Sequence, residues 1–351
     1  MKIRESHLEF PLIQGGMGVG VSLSNLAGSV MKEGCMGVIS AAHPGYKEEN
    51  FFSNSLETNL EALQEECKKA KEISLNKGLL GVNIMCASKH YKDYVQCAIE
   101  AKADAIISGA GLPLSLPEYV KGSSILIAPI VSSGKAAELI CKRWSKKYNR
   151  IPDFIVIESS LAGGHLGFQW DDLQNQTCQS LDDIIMDVRE VIKKYEDQYQ
   201  YRIPIFAAGG IFDSKDMKRV LYKGADGVQI GTRFIATYEC DAHPNFKEAI
   251  IKAKKEDIVF VKSPTGFPGR AIQNDFVKNR IGNTKVDGCI NCLIPCNPAN
   301  TPYCISRALI EAVKGNVENG LVFVGSNADR ITSMTSVKEI IDEFKTVWRK
   351  S

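Results

Sequence analysis

Two short stretches decide the fold class: Ile203-Pro-Ile-Phe-Ala-Ala-Gly-Gly-Ile211 and Gly227-Val-Gln-Ile-Gly-Thr-Arg-Phe234. Each is an apolar run that stops at glycine, as a buried parallel strand does where it enters a loop. In (β/α)8 barrels, the loops after the seventh and eighth strands commonly bind a phosphate through backbone N–H groups and a helix N-terminus. The two stretches therefore predict the last two strands of a barrel, with a phosphate site between them.

Six earlier apolar runs have the spacing of βα units. The eight predicted strands are Pro11–Met17, Gly37–Ala42, Leu80–Met85, Ala105–Gly111, Ile125–Val131, Asp153–Ser159, Ile203–Gly209 and Gly227–Phe234. Between them, apolar residues recur at helical spacing in Ser22–Glu33, Leu56–Asn76, Lys89–Lys102, Lys135–Lys147, Ser180–Tyr195 and Ser214–Lys223. Eight such repeats predict an α/β fold of the TIM (β/α)8 barrel type. The alternative is an open doubly wound sheet, but its G-x-G-x-x-G turn is missing after the first strand.

The length and charge of the chain limit its organisation and its partners. Its 351 residues exceed the roughly 250 of a bare barrel. We expect a barrel core over residues 1–240, a lid or insertion over 241–335 and a C-terminal helix over 336–351 that packs on the barrel. The net charge of +2 gives no reason to expect nucleic acid or a membrane surface as a partner. We find no secretory signal or membrane-spanning run, so we expect a cytoplasmic protein; a homodimer is compatible with the sequence.

Eleven cysteines form two groups. Seven are scattered through predicted helices, strands and loops, where reduced cysteine is most simply a small buried hydrophobic residue. The other four follow the barrel at Cys289, Cys292, Cys296 and Cys304. Four thiols at this spacing are compatible with a zinc ion or an iron–sulfur cluster, and equally with a loop of packed thiols that holds no metal. The spacing departs from the paired C-x2-C pattern, which favours the loop without metal.

The active site of a barrel lies at the C-terminal ends of its strands. There the sequence places glycines, amides and one histidine, with no cluster of carboxylates or histidines for a catalytic metal. Such a lining suits flavin mononucleotide (FMN), a large planar cofactor with a phosphate tail. Gly15-Gly16-Met17 allows a close approach of backbone to a ring, Asn83 can bond to the ring edge, and the last two loops can bind the phosphate.

Of five histidines, His165 alone follows Gly-Gly at the C-terminal end of a predicted strand. Histidine has an ordinary pKa near ~6.5 and is suited to move a proton at neutral pH. We therefore predict that His165 is the catalytic residue; the alternative is a side chain that bonds a loop carbonyl. His43 is a second candidate for the substrate mouth, although His-Pro-Gly is also typical of a plain turn. Arg233 is a candidate phosphate ligand, with a solvated side chain or a carboxylate partner as the alternatives.

Five motifs resemble those of the nitronate monooxygenase family, formerly called 2-nitropropane dioxygenases. They are Pro11-Leu-Ile-Gln-Gly-Gly-Met17, Gly81-Val-Asn-Ile84, Ala162-Gly-Gly-His-Leu-Gly167, Ala207-Ala-Gly-Gly-Ile211 and Gly227-Val-Gln-Ile-Gly-Thr-Arg-Phe-Ile-Ala-Thr237. The resemblance spans about residues 1–250. Flavin-dependent enoyl-acyl carrier protein reductases share these motifs, so the resemblance is more specific for the fold and FMN than for the reaction.

The resemblance implies an oxidoreductase that uses FMN and molecular oxygen to convert an alkyl nitronate to a carbonyl compound and nitrite, without NAD(P)H. His165 would be the base that removes the proton α to the nitro group. The FMN contacts implied by the resemblance are Gly15, Gly16, Met17, Asn83, Gly163, Gly164, Gly209, Gly210, Gly231 and Thr232. We add Ser108, Glu158, Ala208 and Gln229, which lie at or near the ends of predicted strands.

Two departures from the family keep other functions open. The basic residue that family members often carry near the end of the fifth strand is absent from Ala128-Pro-Ile-Val-Ser-Ser133, and the C-terminal third is dissimilar, although a helical lid over the flavin is expected there. In that lid, Arg270 would either bind an anionic substrate or have a structural role. The alternatives are an NAD(P)H-dependent enoyl-acyl carrier protein reductase, whose substrate is an enoyl thioester, and a flavin-binding redox sensor.

Overall fold

Eight parallel strands close into a barrel, which confirms the predicted fold class. The computed structural model describes residues 1–282, 286 and 288–348. Its barrel strands are β1 Leu12–Gln14, β2 Met36–Ser40, β3 Leu79–Met85, β4 Ala105–Gly109, β5 Leu126–Val131, β6 Ile155–Glu158, β7 Ile205–Ala208 and β8 Gly227–Ile230. Each strand pairs with its neighbours in sequence, and β8 pairs with β1 to close the ring, with Val228 opposite Leu12.

The helices around the barrel are α1 Ser24–Lys32, α2 Ser55–Ser74, α3 Tyr91–Glu100, α4 Leu116–Tyr119, α5 Gly134–Tyr148, α6 Trp170–Gln174, α7 Leu181–Tyr199, α8 Ser214–Tyr222, α9 Thr232–Ile235 and α10 Pro244–Lys252. The apolar periodicity predicts six of them, α1, α2, α3, α5, α7 and α8, and does not predict α4, α6, α9 or α10. The prediction that the eighth strand continues to Phe234 is wrong, because β8 ends at Ile230 and Thr232 begins α9. Periodicity cannot distinguish a strand from a helix over so short an apolar run.

The C-terminal part of the chain contains two strands as well as helices. Strands β9 (Ile258–Lys262) and β10 (Pro268–Ile272) are antiparallel, and β10 also pairs with the short strand Gly164–His165 from the loop after β6. A π-helical turn at Phe276–Arg280, helix α11 (Ile305–Val313) and helix α12 (Val337–Trp348) follow. Helix α12 packs on α8 and α1. We call the described residues between 258 and 330 the lid, because several of them border the cavity at the C-terminal end of the barrel.

The two ends of the barrel differ in how they are filled. Large apolar side chains such as Ile13, Val38, Phe154 and Phe206 are buried in the barrel interior, and the rings of Phe154 and Phe206 meet edge to face. At the C-terminal end, small and polar residues replace them and leave a cavity under the lid. No helix among residues 1–282 and 288–348 has the length and apolar character that a membrane span requires.

Asp241 connects the chain after the last barrel strand to the first helix. Its carboxylate accepts the N–H groups of Leu23 at 2.8 Å, Asn25 at 3.2 Å and Leu26 at 3.1 Å. These donors are the residue before α1 and two residues of its first turn, where the N–H groups have no acceptor within the helix. A residue 218 positions away therefore caps α1 and supports the closure between β8 and β1.

We predict that Asp241→Ala lowers the free energy of unfolding by about 1–2 kcal/mol, the usual effect of removing a helix cap. Urea unfolding followed by circular dichroism measures this change. Asp197→Ala is the matched control, because Asp197 is an exposed residue of α7. Equal stabilities of the two variants would contradict the capping role.

Candidate active site

One cavity at the C-terminal ends of the strands brings together almost all of the predicted site residues. Its lining includes Gly15, Gly16, Met17, Asn83, Glu158, Gly163, Gly164, His165, Ala208, Gly209, Gly210, Gln229, Gly231 and Thr232. Ser108 is the exception. It is fully buried, its hydroxyl donates to the Ile84 carbonyl at 2.7 Å, and Gly109 and Ala110 line the cavity in its place. Ser108 is therefore not available to a cofactor.

Backbone donors converge where β7 and β8 end. Gly209 and Gly210 have φ values of 88° and 74°, in the left-handed region that glycine adopts without strain. Among the residues that the structure describes, the N–H groups of Gly209, Gly210, Gly231 and Thr232 have no backbone acceptor. Unpaired N–H groups beside a helix N-terminus are suited to bind a phosphate. The position agrees with the phosphate site that the sequence predicts.

The lining residues around Gly16, Asn83 and Gln229 suit a planar ring. A Cβ atom added to Gly16 would lie 2.4 Å from Cβ of Asn83, so glycine is needed for this close packing. The side-chain oxygen of Gln229 is buried and has no hydrogen-bond partner among the described residues. A buried polar atom without a partner is costly in a folded protein. A ligand with an N–H group at its edge would satisfy it.

The loop that carries His165 is held by the lid. Gly164 and His165 pair with Arg270 and Gly269 of β10. The guanidinium of Arg270 donates to the carbonyls of Ser160 at 2.8 Å and Ala162 at 2.5 Å. Arg270 is only 6% exposed and does not line the cavity. The sequence leaves Arg270 either as a contact for an anionic substrate or as a structural residue. These contacts support the structural role.

His165 faces the cavity with one ring nitrogen already bonded. Its Nε2 lies 2.8 Å from Oγ of Ser263, and its ring meets that of Phe323 edge to face, with the centroids 5.1 Å apart. Burial lowers the pKa of His165 to about 4. The imidazole is therefore neutral at physiological pH, and proton transfer to or from it depends on which nitrogen carries the hydrogen.

Glu158 supplies a carboxyl group at the end of β6. Although its side chain borders the cavity, the group is remote from bulk water. Burial raises its pKa to about 8, against the opposing effect of the positive charge on Arg270. Glu158 is therefore mostly protonated at neutral pH, so that its carboxyl group can donate a hydrogen bond to a ligand and does not repel an anionic one.

The predicted candidates for the substrate mouth, His43, and for the phosphate, Arg233, both contact other side chains of the protein. His43 borders the cavity, but its Nε2 lies 2.8 Å from Oγ of Ser306 on α11, and burial lowers its pKa to about 4. Arg233 donates to the carboxylate of Glu343 and to the Phe212 carbonyl, both at 2.5 Å. Arg233 therefore has the carboxylate partner that the sequence leaves as the alternative to a phosphate.

The four lid cysteines lie in one region, close enough for the other three to act electrostatically on the Cys292 thiol. Cys292 borders the cavity, and its sulfur lies 3.2 Å from Oγ of Ser306. Within the described part of the chain, no three or more His, Cys, Asp or Glu side chains are arranged to hold a metal ion. All eleven cysteines are unpaired, and of the seven scattered ones five are buried, while Cys86 and Cys178 are half-buried.

Sequence reasoning missed the residues that hold His165. Ser263 lies 98 positions from His165 in the chain, and Phe323 is farther still. Neither belongs to a motif with a recognisable spacing, because their proximity depends on the pairing of β10 with the His165 loop. The glycine at Gly325, whose N–H donates to Oγ1 of Thr232 at 2.8 Å, was missed for the same reason.

Comparison with known proteins identifies similar chains. The family model described as nitronate monooxygenase matches residues 1–346. A probable nitronate monooxygenase of Staphylococcus saprophyticus is 28% identical over 298 residues, which cover 77% of this chain and 78% of that protein. The structure of FabK from Thermotoga maritima is 26% identical with a TM-score of 0.75, covering 98% of this chain and 94% of the other. A nitroalkane oxidase of Streptomyces ansochromogenes, 18% identical with a TM-score of 0.73 and 98% coverage of both chains, is similar in fold.

We predict that Glu158→Gln makes the stability of the flavin-free protein less dependent on pH. The folded-state pKa of about 8 exceeds that of the unfolded chain, so the folded protein binds the extra proton between these values. Its free energy of unfolding therefore falls as the pH rises from about 4.5 to 8. Glu158→Gln removes this fall, which is worth about 2 kcal/mol or more.

Urea unfolding at several pH values measures this difference. Glu190→Gln, an exposed substitution on α7, is the control and is expected to keep the wild-type pH dependence. If Glu158→Gln also keeps it, Glu158 does not bind the extra proton.

Proposed function

The chain belongs to the nitronate monooxygenase family, and from this membership and the geometry of the cavity we propose that it is an FMN-dependent nitronate monooxygenase. Membership makes it a flavin-dependent oxidoreductase with a small-molecule substrate. The proposed reaction converts an alkyl nitronate and molecular oxygen to a carbonyl compound and nitrite, without NAD(P)H. The observation that carries the proposal is a cavity with unpaired backbone donors on one side and neutral His165 on another.

The residues present fit FMN. The N–H groups of Gly209, Gly210, Gly231 and Thr232 would hold the phosphate, since no backbone carbonyl among the described residues accepts from them. The unpartnered oxygen of Gln229 and the amide of Asn83 would bond to the edge of the ring system. When bound, a flavin supplies a group that accepts electrons from substrate and passes them to oxygen.

The charge of the cavity favours an anionic substrate. A nitronate carries a negative charge on its nitro oxygens, and the carboxyl of Glu158 is mostly neutral at pH 7 because its pKa is about 8. His165 borders the same cavity and is our proposed contact for the substrate. The protein thus presents polar hydrogen-bonding groups without a negative charge that would oppose binding.

A second candidate is an NAD(P)H-dependent reductase of enoyl thioesters. The observation in its favour is an apolar extension of the cavity beneath the lid. The side chains that border this extension are Phe246, Ile290, Leu293, Ile305 and Leu309. An acyl chain could occupy such a space, whereas a small nitronate would leave it empty. A flavin-binding sensor, the third alternative in the sequence, would bind flavin and turn over neither substrate.

We predict that an alkyl nitronate, added without oxygen, bleaches the flavin absorbance of the purified protein near ~450 nm. NADH and NADPH should leave the absorbance unchanged over the same time, because the proposed reaction needs no nicotinamide. Stopped-flow absorbance measures the two rates. Rapid bleaching by a nicotinamide would favour the enoyl reductase, and bleaching by neither reductant would favour the sensor.

A further inference from the structure

Two parts of the cavity differ in whether their polar groups are already bonded. Where β7 and β8 end, the N–H groups of Gly209 and Gly231 and the side-chain oxygen of Gln229 have no partner in the described part of the chain. Buried polar groups need a hydrogen-bond partner, so this part suits a polar ligand. The apolar extension beneath the lid has the opposite character, because the polar side chains beside it are bonded to one another.

A hydrogen-bonded network joins the loop after β2 to the lid at this extension. Oδ1 of Asn59 accepts the N–H of Gly45 at 3.1 Å, so the amide nitrogen of Asn59 faces Nδ1 of His43, at 3.4 Å. Nε2 of His43 lies 2.8 Å from Oγ of Ser306, which is also 3.2 Å from the sulfur of Cys292. Both nitrogens of His43 and both ends of the Asn59 amide are therefore bonded within the protein.

The other polar side chains of this region either join the network or lie at its rim. The hydroxyl of Tyr94 bonds to the side chain of Asn59. Ser55, Ser88 and His90 border the cavity and are partly exposed, so that water satisfies their polar groups. A ligand in the extension therefore meets few polar groups that need it.

The apolar side chains of the extension are shielded from bulk water although they border the cavity. Ile305 and Leu309 lie one turn apart on α11, which places them on the same face of the helix. Ile305 is only 6% exposed and Leu293 only 5%. Apolar side chains around a small empty space exclude water and lack dispersion contacts on that side. A hydrocarbon chain would supply those contacts.

Phe323 connects the extension with His165. Its ring meets the imidazole of His165 edge to face, with the centroids 5.1 Å apart. Phe323 also packs against the hydrophobic cluster that contains Leu293 and Ile305. These four side chains all border the cavity. A ligand with its reactive end at His165 therefore has an apolar surface that leads past Phe323 into the extension.

We propose that the extension binds an unbranched hydrocarbon chain of the substrate, so that the enzyme selects alkyl nitronates with long chains over short ones. This inference rests on the proposed function, because it takes the nitronate as the reactive end of the molecule. It places the charged nitro group beside His165 and the hydrocarbon chain against Leu293, Ile305 and Leu309. The extension is thereby assigned to the alkyl chain of a nitronate and needs no acyl thioester.

A homologous series of nitronates tests this assignment. From propyl to octyl nitronate, kcat/KM should rise about three- to four-fold for each methylene added, because each methylene leaves water for an apolar site. Leu309→Trp fills the extension and should remove this rise. Leu139→Trp is the matched control, because Leu139 is a leucine of α5 that is 46% exposed, and it should keep the wild-type rise.

Binding of saturated carboxylates gives a readout without turnover. A carboxylate, like a nitronate, has two oxygens that share one negative charge, but it does not react. The Kd values of butanoate, hexanoate and octanoate can be measured from the change in flavin absorbance of the loaded protein. Kd should fall by the same factor for each methylene in the wild type and stay level in Leu309→Trp.

The two readouts separate this inference from the proposed function. If nitronates are oxidised but either series is flat in the wild type, the inference fails and the proposed function stands. If no nitronate is oxidised, the proposed function fails, and the carboxylate series still decides whether the extension binds a hydrocarbon chain. An unchanged slope in Leu309→Trp would overturn the assignment. Should Leu309→Trp not retain flavin, Ile290→Phe replaces it, with the same loss expected and its absence contradictory.

Discussion

The geometry of the site depends on the pairing of lid strand β10 with Gly164–His165. This pairing joins a loop of the barrel to a segment about a hundred residues later in the chain. Arg270 reinforces it, because its guanidinium donates to two carbonyls of the same loop while its backbone pairs with Gly164. The lid therefore does more than cover the cavity. It fixes the position of His165, whose side chain borders the cavity.

The barrel supplies the other side of the site by a different physical route. Parallel strands end together at one edge, where the next N–H groups have no strand partner, and no loop carbonyl in the described part of the chain accepts from Gly209 or Gly231. Such donors need an anion or water to be satisfied. Burial lowers the pKa of His165 and raises that of Glu158, so both side chains are mostly uncharged at neutral pH. The cavity thus combines unpaired backbone N–H groups with neutral side chains. This combination favours the binding of an anionic cofactor tail and an anionic substrate.

Local sequence was sufficient for the barrel because each βα unit carries its own signal: an apolar strand, a glycine and an amphipathic helix. It was also sufficient for the cavity glycines, since these lie directly after strands. It failed at Ser108, whose position after a strand is correct but whose hydroxyl points to the Ile84 carbonyl. It could not find Ser263 or Phe323, because only the folding of the lid onto the barrel brings them to His165. Tertiary contacts between distant segments leave no periodic pattern in a single sequence.

The most direct test of the account is the amount of nitrite formed when the purified protein is given an alkyl nitronate, with dissolved oxygen followed in the same cell. We expect sustained nitrite release coupled to oxygen consumption, with no NADH or NADPH added. Absence of nitrite, together with oxidation of a nicotinamide in the presence of an enoyl thioester, would contradict it.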